Sequence, residues 1–364
     1  VMGRIGIPWH NVPGNHDINT VPEVVRTYER RIGPLTYGFT YGNSRFIVLN
    51  SEENGAGGVI SEKQLAWLKD DLNTCKADNI FVFMHQPYFV QDWDKQWAYV
   101  AETFRGFPVR AVFAGHIHVY RDCGVRDGVH YYITGGAGSY IETPEEEGGF
   151  NHYLRVQVKR DQVEVAVMRP GGVFPPEVIT QEKVDMVRAL KRGLHTDPVD
   201  VPLGGGFDHT IAVHMENPLQ ASLASSLTWN IPAGWHVEPL EAPYALAPGA
   251  SIELPFHVWS DGPAQTHFPV PAMVTKIAED PQAGTLTLEN EINMVPTAVS
   301  AYATEPVIPD GSLTEWIRAT PMALPYGVDF DAANTDDLRA QARLMWDEGH
   351  VYVAVEVDDN EFHQ

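Results

Sequence analysis

Phe81-Val-Phe-Met-His-Gln-Pro87 is the stretch that decides the fold of the first half of this chain. Four apolar residues run unbroken into two polar residues and then a proline. That pattern describes a strand buried on both faces that stops abruptly. The residue at its end is His85. Two other clusters repeat the arrangement. Ala111-Val-Phe-Ala114 runs directly into Gly115-His-Ile-His118, whose His116 comes thirty-one residues after His85. Upstream, Pro13-Gly-Asn-His-Asp17 places Asn15 seventy residues before His85. Gly14 permits a tight turn that can aim Asn15 and His16 into a crevice at a strand's carboxyl end. Neighbouring strands lie about 4.8 Å apart, so side chains on their tips can converge on one ion.

Spacing within Gly115-His-Ile-His118 adds to this. Histidines at i and i+2 of an extended chain share a face, and Gly115 keeps the backbone low beneath them. Imidazole nitrogen together with an asparagine oxygen suits Zn, Mn, Fe or similar ions. Taken singly, an Asn-His or a His-x-His is usually surface or core decoration. Three clusters in order, each at a strand end, describe a metal site.

The flanking sequence supplies the frame. Phe46-Ile-Val-Leu-Asn50, Val109–Ala114 and Tyr131-Tyr-Ile-Thr134 read as further strands. Ser61–Leu72 reads as an amphipathic helix with Ser61 as N-cap and Leu65, Leu68 and Leu72 as its buried stripe. Tyr153–Val158 and Gln162–Met168 alternate with period two around Arg160-Asp161, which predicts a hairpin. Residues 1–170 are therefore expected to be an α/β domain. Residues 171–200, rich in proline and glycine with one short helix near Glu182–Arg192, read as a linker. Residues 201–297 carry strands and turns with almost no helix, which predicts a β-sandwich. In 305–364, Leu338–Trp346 and His350–Val357 read as a hairpin of a partial β module.

Composition narrows the function. The chain has 364 residues, enough for two or three domains, and a net charge of -23. Such a field repels nucleic acid and anionic membranes, so no nucleic-acid-binding surface is expected. No apolar run reaches the ~18 residues of a membrane span. The balance fits a secreted, periplasmic or cell-surface protein. Cys75 and Cys123 match no zinc or redox spacing and read as unpaired thiols.

Gly14-Asn-His-Asp17, His85 and Gly115-His-x-His118 resemble the later motifs of the calcineurin-like metallophosphoesterases. Gly38-Phe-Thr-Tyr41, Phe46–Asn50 and Gln64-Leu-Ala-Trp-Leu68 follow the same habit, closest to the purple-acid-phosphatase and cyclic-nucleotide-phosphodiesterase branches. The resemblance covers about residues 5–170. It implies a four-layer α/β/β/α sandwich with two divalent or trivalent metal ions between its sheets. It places Asn15, His85 and His116 on one metal and His118 on the other. His16 would contact the phosphate of an ester substrate and help protonate the leaving group, with Asp17 orienting it. A metal-activated water would attack phosphorus in line, without a covalent protein intermediate.

The family also has an Asp-x-His motif on its first strand and a Gly-Asp motif on the next. Val1–Pro13 holds no acidic residue, and His10, the one candidate ligand there, reads better as a strand-flank residue. The first strands and three ligands are therefore expected to be missing. Residues 1–364 alone are expected to bind metal weakly and not to turn over, with catalysis belonging to a longer protein.

Other features read more plainly. His130, His152, His195, His209, His214, His236 and His257 stand singly in strands or turns. Trp93 and Trp97 fit either a substrate mouth or plain packing. Gly135-Gly-Ala-Gly138 lacks the Lys-Ser/Thr of a phosphate loop and reads as a tight turn beside the site. Trp229-Asn-Ile-Pro-Ala-Gly-Trp235 with Leu246-Ala-Pro-Gly249 resembles β-sandwich modules of secreted bacterial glycosidases. Asp310–Trp316, Trp346, Tyr352 and Asp358-Asp359 resemble a family-9-type carbohydrate-binding module. Its aromatic faces would stack on sugars, unless Trp316 and Trp346 are core residues. Two functions follow: a secreted metal-dependent phosphoesterase, or a non-catalytic surface or polysaccharide-binding protein with a degenerate phosphoesterase domain. Asp-x-His and Gly-Asp motifs upstream of Val1 separate them.

Overall fold

The computed structural model describes residues 6, 8–53, 60–90, 94–138, 140–202, 205–264, 269–278, 285–298, 300–324 and 338–359. Trp93 lies outside these residues. The chain divides into two units, Val1–Arg188 and Ala189–Gln364.

In order, the first unit contains α1 (Pro22–Arg31), β1 (Tyr37–Tyr41), β2 (Ser44–Val48), α2 (Glu62–Thr74), β3 (Asn79–Met84), α3 (Asp94–Glu102), β4 (Val109–Ala114), β5 (Tyr120–Arg126), β6 (Val129–Thr134), β7 (Tyr153–Lys159), β8 (Gln162–Arg169) and β9 (Gly172–Phe174). Helix α4 (Gln181–Gly193) follows. Six strands form one sheet in the order β1-β2-β3-β4-β6-β5. Strands β2, β3, β4 and β6 are mutually parallel, and the edge strands β1 and β5 are antiparallel to their neighbours. All four parallel strands thus deliver their carboxyl ends to one edge of the sheet, where crossover folds build sites.

Both faces of this sheet are covered, which is why its strands are apolar without alternation. On one face Ile80, Val82, Met84, Val112 and Ile133 pack with Leu68 and Leu72 of α2 and Trp97 and Val100 of α3. On the other, Phe81, Phe113 and Tyr132 pack with Leu154, Val163, Val165 and Val167 of a second sheet, β7-β8-β9. Aromatic rings cross this second face as stacked neighbours on successive strands: Phe39 on Phe46, Phe46 on Phe81, Phe83 on Phe113, and Phe113 on Tyr132. His10 ends the series, stacked at 3.6 Å on Phe39. Such cross-strand pairs stabilise by about 0.2–1 kcal/mol each. Trp97 is a core residue in this packing, which corrects its alternative place at a substrate mouth.

Helix α2 begins as expected, with Ser61 Oγ accepting from Gln64 N at 3.2 Å. Leu68 and Leu72 are buried, and Leu65 half-buried. Burying each leucine stabilises the fold by about 1.5–3 kcal/mol. Gln64 is buried too, because its amide pairs with the backbone of Asn50. The stretch expected to be a linker is part of the first unit up to Arg188, a correction. Strand β9 pairs with β8, and Ile179 and Val184 enter the core beside Phe81.

The second unit is almost entirely strand: β10 (His195–Thr196), β11 (Val199–Pro202), β12 (Gly206–Glu216), β13 (Leu223–Asn230), β14 (Trp235–Glu238), β15 (Glu241–Leu246), β16 (Ser251–Pro263), β17 (Ala272–Ala278), β18 (Thr285–Glu291), β19 (Met294–Thr297), β20 (Ala301–Tyr302), β21 (Met322–Ala323), β22 (Leu338–Trp346) and β23 (Val351–Asp359). Two four-stranded sheets run β10-β12-β16-β14 and β15-β13-β17-β18. Alternate residues such as Ile211, Val213, Phe256, Leu227 and Met273 are buried, and Trp229 meets Phe256 edge-on. A separate sheet joins β20, β21 and β23 to β22. There Trp316 is core, 5% exposed against Ala303, Ala319 and Met345. That corrects the sugar-stacking alternative for Trp316. Trp346, 44% exposed, keeps an open face.

Candidate metal centre

Four segments meet at the carboxyl edge of the six-stranded sheet. Asn15 comes from the turn at Gly14, closed by hydrogen bonds from Asp17 N and Ile18 N to Gly14 O. His85 is the residue after β3, and His116 the second after β4. Gly115 N donates to His85 O at 2.9 Å, which ties those two tips together. The loop Gly135–Gly138 follows β6.

Three donor atoms converge. Asn15 Oδ1 is 2.7 Å from His85 Nε2 and 3.3 Å from His116 Nδ1. The two ring nitrogens are 3.2 Å apart. Metal–ligand bonds of about 2.1 Å produce donor–donor edges of about 3.0–3.4 Å, so this triangle has the size of one face of a coordination polyhedron. Protonation states agree. Burial, then the neighbouring His116, push His85 down to about 4, so its ring is neutral at pH 7. Burial also lowers His116. Neutral imidazoles present lone pairs to a cation. Among the described residues, no three His, Cys, Asp or Glu side chains are grouped to hold a metal. The triangle consists of two histidines and an amide.

Backbone detail explains how the sequence reaches this geometry, and two expectations change. His116 is not in extended chain: its φ is +64°. Ile117 N donates to Gly115 O and Val119 N to Ile117 O, each at 2.7 Å, so the segment is a pair of tight turns. His116 therefore reaches the triangle by a left-handed turn, and His118 does not join it. His118 is exposed and holds Tyr140 O through Nδ1 at 2.9 Å, which leaves Nε2 with the lone pair. Asp17 is the second change. It does not orient His16. Its Oδ2 accepts from Gly14 N at 3.0 Å, since a short side chain two bonds from the backbone caps its own turn most easily. His16 is exposed, beside a cavity of about 440 Å³ lined also by Asp17, Tyr28 and Arg31.

Residues 2–120 match the family model described as calcineurin-like phosphoesterase. These residues, which bear the whole triangle, are thus similar to a calcineurin-like phosphoesterase domain. Over 130 residues it is 30% identical to the serine/threonine-protein phosphatase CPPED1 of Bos taurus, covering 31% of this chain and 42% of that protein. Over 114 residues it is 30% identical to a probable cyclic nucleotide phosphodiesterase of Rhodococcus erythropolis, covering 29% of this chain and 38% of that one. The chain thus spans less than half the length of each of these relatives. A solved C. elegans MSP family member matches 29% of the chain at 14% identity, with a TM-score of 0.17, too low to bear on the fold.

Other parts of the phosphoesterase domain support its site. The glycine turn lies beside it: a Cβ on Gly135 would stand 2.1 Å from Ile117 O, and one on Gly136 2.4 Å from Phe150 O. Elsewhere in this domain, His130 is held by Asp122 at 2.6 Å, and His152 lies buried between Thr134 and Phe150 O. In the second unit His236 and His257 pair with Asp261 and Asp208. His195 stacks on His214, and His209 meets Phe207 edge-on. One polar set beside the site has no counterpart in the sequence reading, the buried Ser51, Glu52 and Gln86. Its signal was available, since Asn50-Ser-Glu52 follows a buried strand just as His85 and His116 do.

Proposed function

We propose that this chain contributes to the metal-dependent hydrolysis of phosphate esters. The observation that carries the reading is the triangle of Asn15 Oδ1, His85 Nε2 and His116 Nδ1, with mutual distances of 2.7–3.3 Å. These three residues would hold one ion and His118 Nε2 would face a second, with Mn, Fe and Zn all suited to such donors. When bound, such ions supply Lewis acidity toward the phosphoryl oxygens and toward water. His16, exposed at the mouth of its cavity, would contact the phosphate and return a proton to the leaving oxygen. Asp17 holds the turn that carries both Asn15 and His16.

Finer readings go with this one. The phosphoesterase domain would be a four-layer α/β/β/α sandwich, the later sheets β-sandwich modules, and the protein secreted or at the cell surface. Tyr302 and Trp346, both exposed, are the aromatic rings through which the last module would meet carbohydrate.

The test is a Mn²⁺ titration of the chain and of its His85→Ala and His116→Ala variants, with p-nitrophenyl phosphate hydrolysis followed in parallel. Each substitution is expected to remove the weak metal binding of residues 1–364, and to remove hydrolysis as well in a longer chain that carries the Asp-x-His and Gly-Asp motifs upstream. Undiminished metal binding in both variants would reject the ligand assignment and favour a non-catalytic binding protein.

A further inference from the structure

Beside the triangle lies a carboxylate that the reaction as derived does not use. Glu52, 2% exposed, sits in the turn after β2. Gln86, 1% exposed, is the residue next to His85. Gln86 Nε2 donates to Glu52 Oε1 at 3.0 Å and to Oε2 at 2.8 Å. Ser51 Oγ donates to Oε1 at 3.0 Å and itself accepts from Gln86 N at 2.9 Å. Both oxygens of Glu52 are thus engaged by donors, as those of a carboxylate can be. Tyr88 closes the set by donating to Ser51 O.

The network leaves one charge unbalanced. Among the described residues no Lys, Arg or His forms an ion pair with Glu52. A buried carboxylate without a cation costs several kcal/mol, and proteins keep such groups where a cation belongs. Two neighbours feel Glu52: His116, where its charge opposes the effect of burial, and Tyr88, where it adds to that effect. Through Gln86 it is also attached to the tip that bears His85.

We propose that Glu52 is the buried counter-charge of the metal centre and, with Gln86, the positioning pair that fixes His85. This rests on the metal reading of the Asn15, His85 and His116 cluster. Glu52 acts through Gln86 and through its field and is not itself a ligand. Outer partners of this kind change metal affinity by about 10–100-fold when removed.

Mn²⁺ affinity by calorimetry, together with thermal melts in EDTA, distinguishes this role from a structural one. Glu52→Gln keeps the shape and removes the charge. It is expected to weaken Mn²⁺ binding at least about tenfold while the metal-free melting temperature stays level or rises, because a buried charge has gone. The double variant Glu52→Gln, Gln86→Glu returns one carboxylate to the same pair and is expected to recover affinity. Should the single variant not fold, the double variant decides: affinity near wild type supports the proposal, and affinity as weak as that of His85→Ala overturns it. A folded Glu52→Gln chain that binds Mn²⁺ within twofold of wild type, while His85→Ala does not bind, also overturns it. If His85→Ala binds like wild type, the metal reading itself fails.

Discussion

A Cβ added to Gly14 would stand 2.8 Å from Nδ1 of His85 and 2.9 Å from its Cγ and Cε1. The turn that presents Asn15 is therefore packed face to face with the imidazole it must meet. Gly14→Ala has to push the ring away or move the turn, and either separates Asn15 Oδ1 from His85 Nε2. Metal affinity is expected to fall at least about tenfold, with overall stability changed by only about 1–3 kcal/mol. Mn²⁺ titration beside a denaturant melt checks both.

Gly135 supports the same edge from the other side. Its Cβ would meet Ile117 O, a backbone atom that cannot rotate away. Gly135→Ala is expected to cost about 3 kcal/mol and to displace the turn carrying His116 and His118. Urea unfolding of the variant measures the first effect. Loss of metal binding at temperatures where it is still folded measures the second.

Acid should weaken the metal-free phosphoesterase domain. His85, His116 and His152 are all held below the usual histidine range, burial being the first cause in each. With folded values lower than the unfolded value of about 6.5, the unfolded chain binds more protons in between. Stability present above pH 6.5 is then lost as pH falls toward about 4, the value for His85. In EDTA the melting temperature should drop between pH 7 and pH 5, and drop less in His152→Gln. An equal drop in that variant would exclude His152 from the effect.

Both cysteines are free thiols. Cys123 is held by burial up to about 11, so it is almost wholly protonated at pH 8. Native chain should react with a thiol reagent at Cys123 far more slowly than denatured chain. Peptide mapping after brief labelling identifies the modified residue.

Trp316 and Trp346 should separate by burial. Trp316→Ala is expected to destabilise its sheet by about 3–5 kcal/mol, since its neighbours cannot fill the space. Trp346→Ala, at an exposed ring, should leave unfolding within about 0.5 kcal/mol. If the last module binds any glycan on an array, only Trp346→Ala should abolish binding while the module stays folded.

Much of the phosphoesterase domain was legible because its strands are buried on both faces. Phe46–Leu49, Ile80–Met84 and Ala111–Ala114 are apolar without a break, and each leads within two residues to a polar side chain at the sheet's carboxyl edge. The Ser61 cap and the Arg160-Asp161 hairpin were equally plain, because capping and tight turns are chosen by neighbours in sequence. Less legible were contacts between distant residues. The segment after β8 looked like a linker from its prolines and glycines, yet Ile179 and Val184 are core residues. Glu52 follows a buried strand, but its pairing with Gln86 is a contact between residues 34 apart in sequence.

By itself the sequence determined which residues stand at strand ends, since local apolar runs and turns depend on near neighbours. His85 and His116 were available from that alone, whereas Asn15 stands in a turn with no strand among described residues 8–14 before it. Only the tertiary structure decided how they meet. Parallel pairing of β3 and β4 sets His85 beside His116, and packing of the Gly14 turn against His85 brings Asn15, 101 residues from His116, to donor distances of about 3 Å. Tertiary packing also buried Glu52 against Gln86 and drew Ile179 and Val184 into the core. Those outcomes rest on packing and on the field of a buried charge, which depend on distances through space and leave no pattern along the chain.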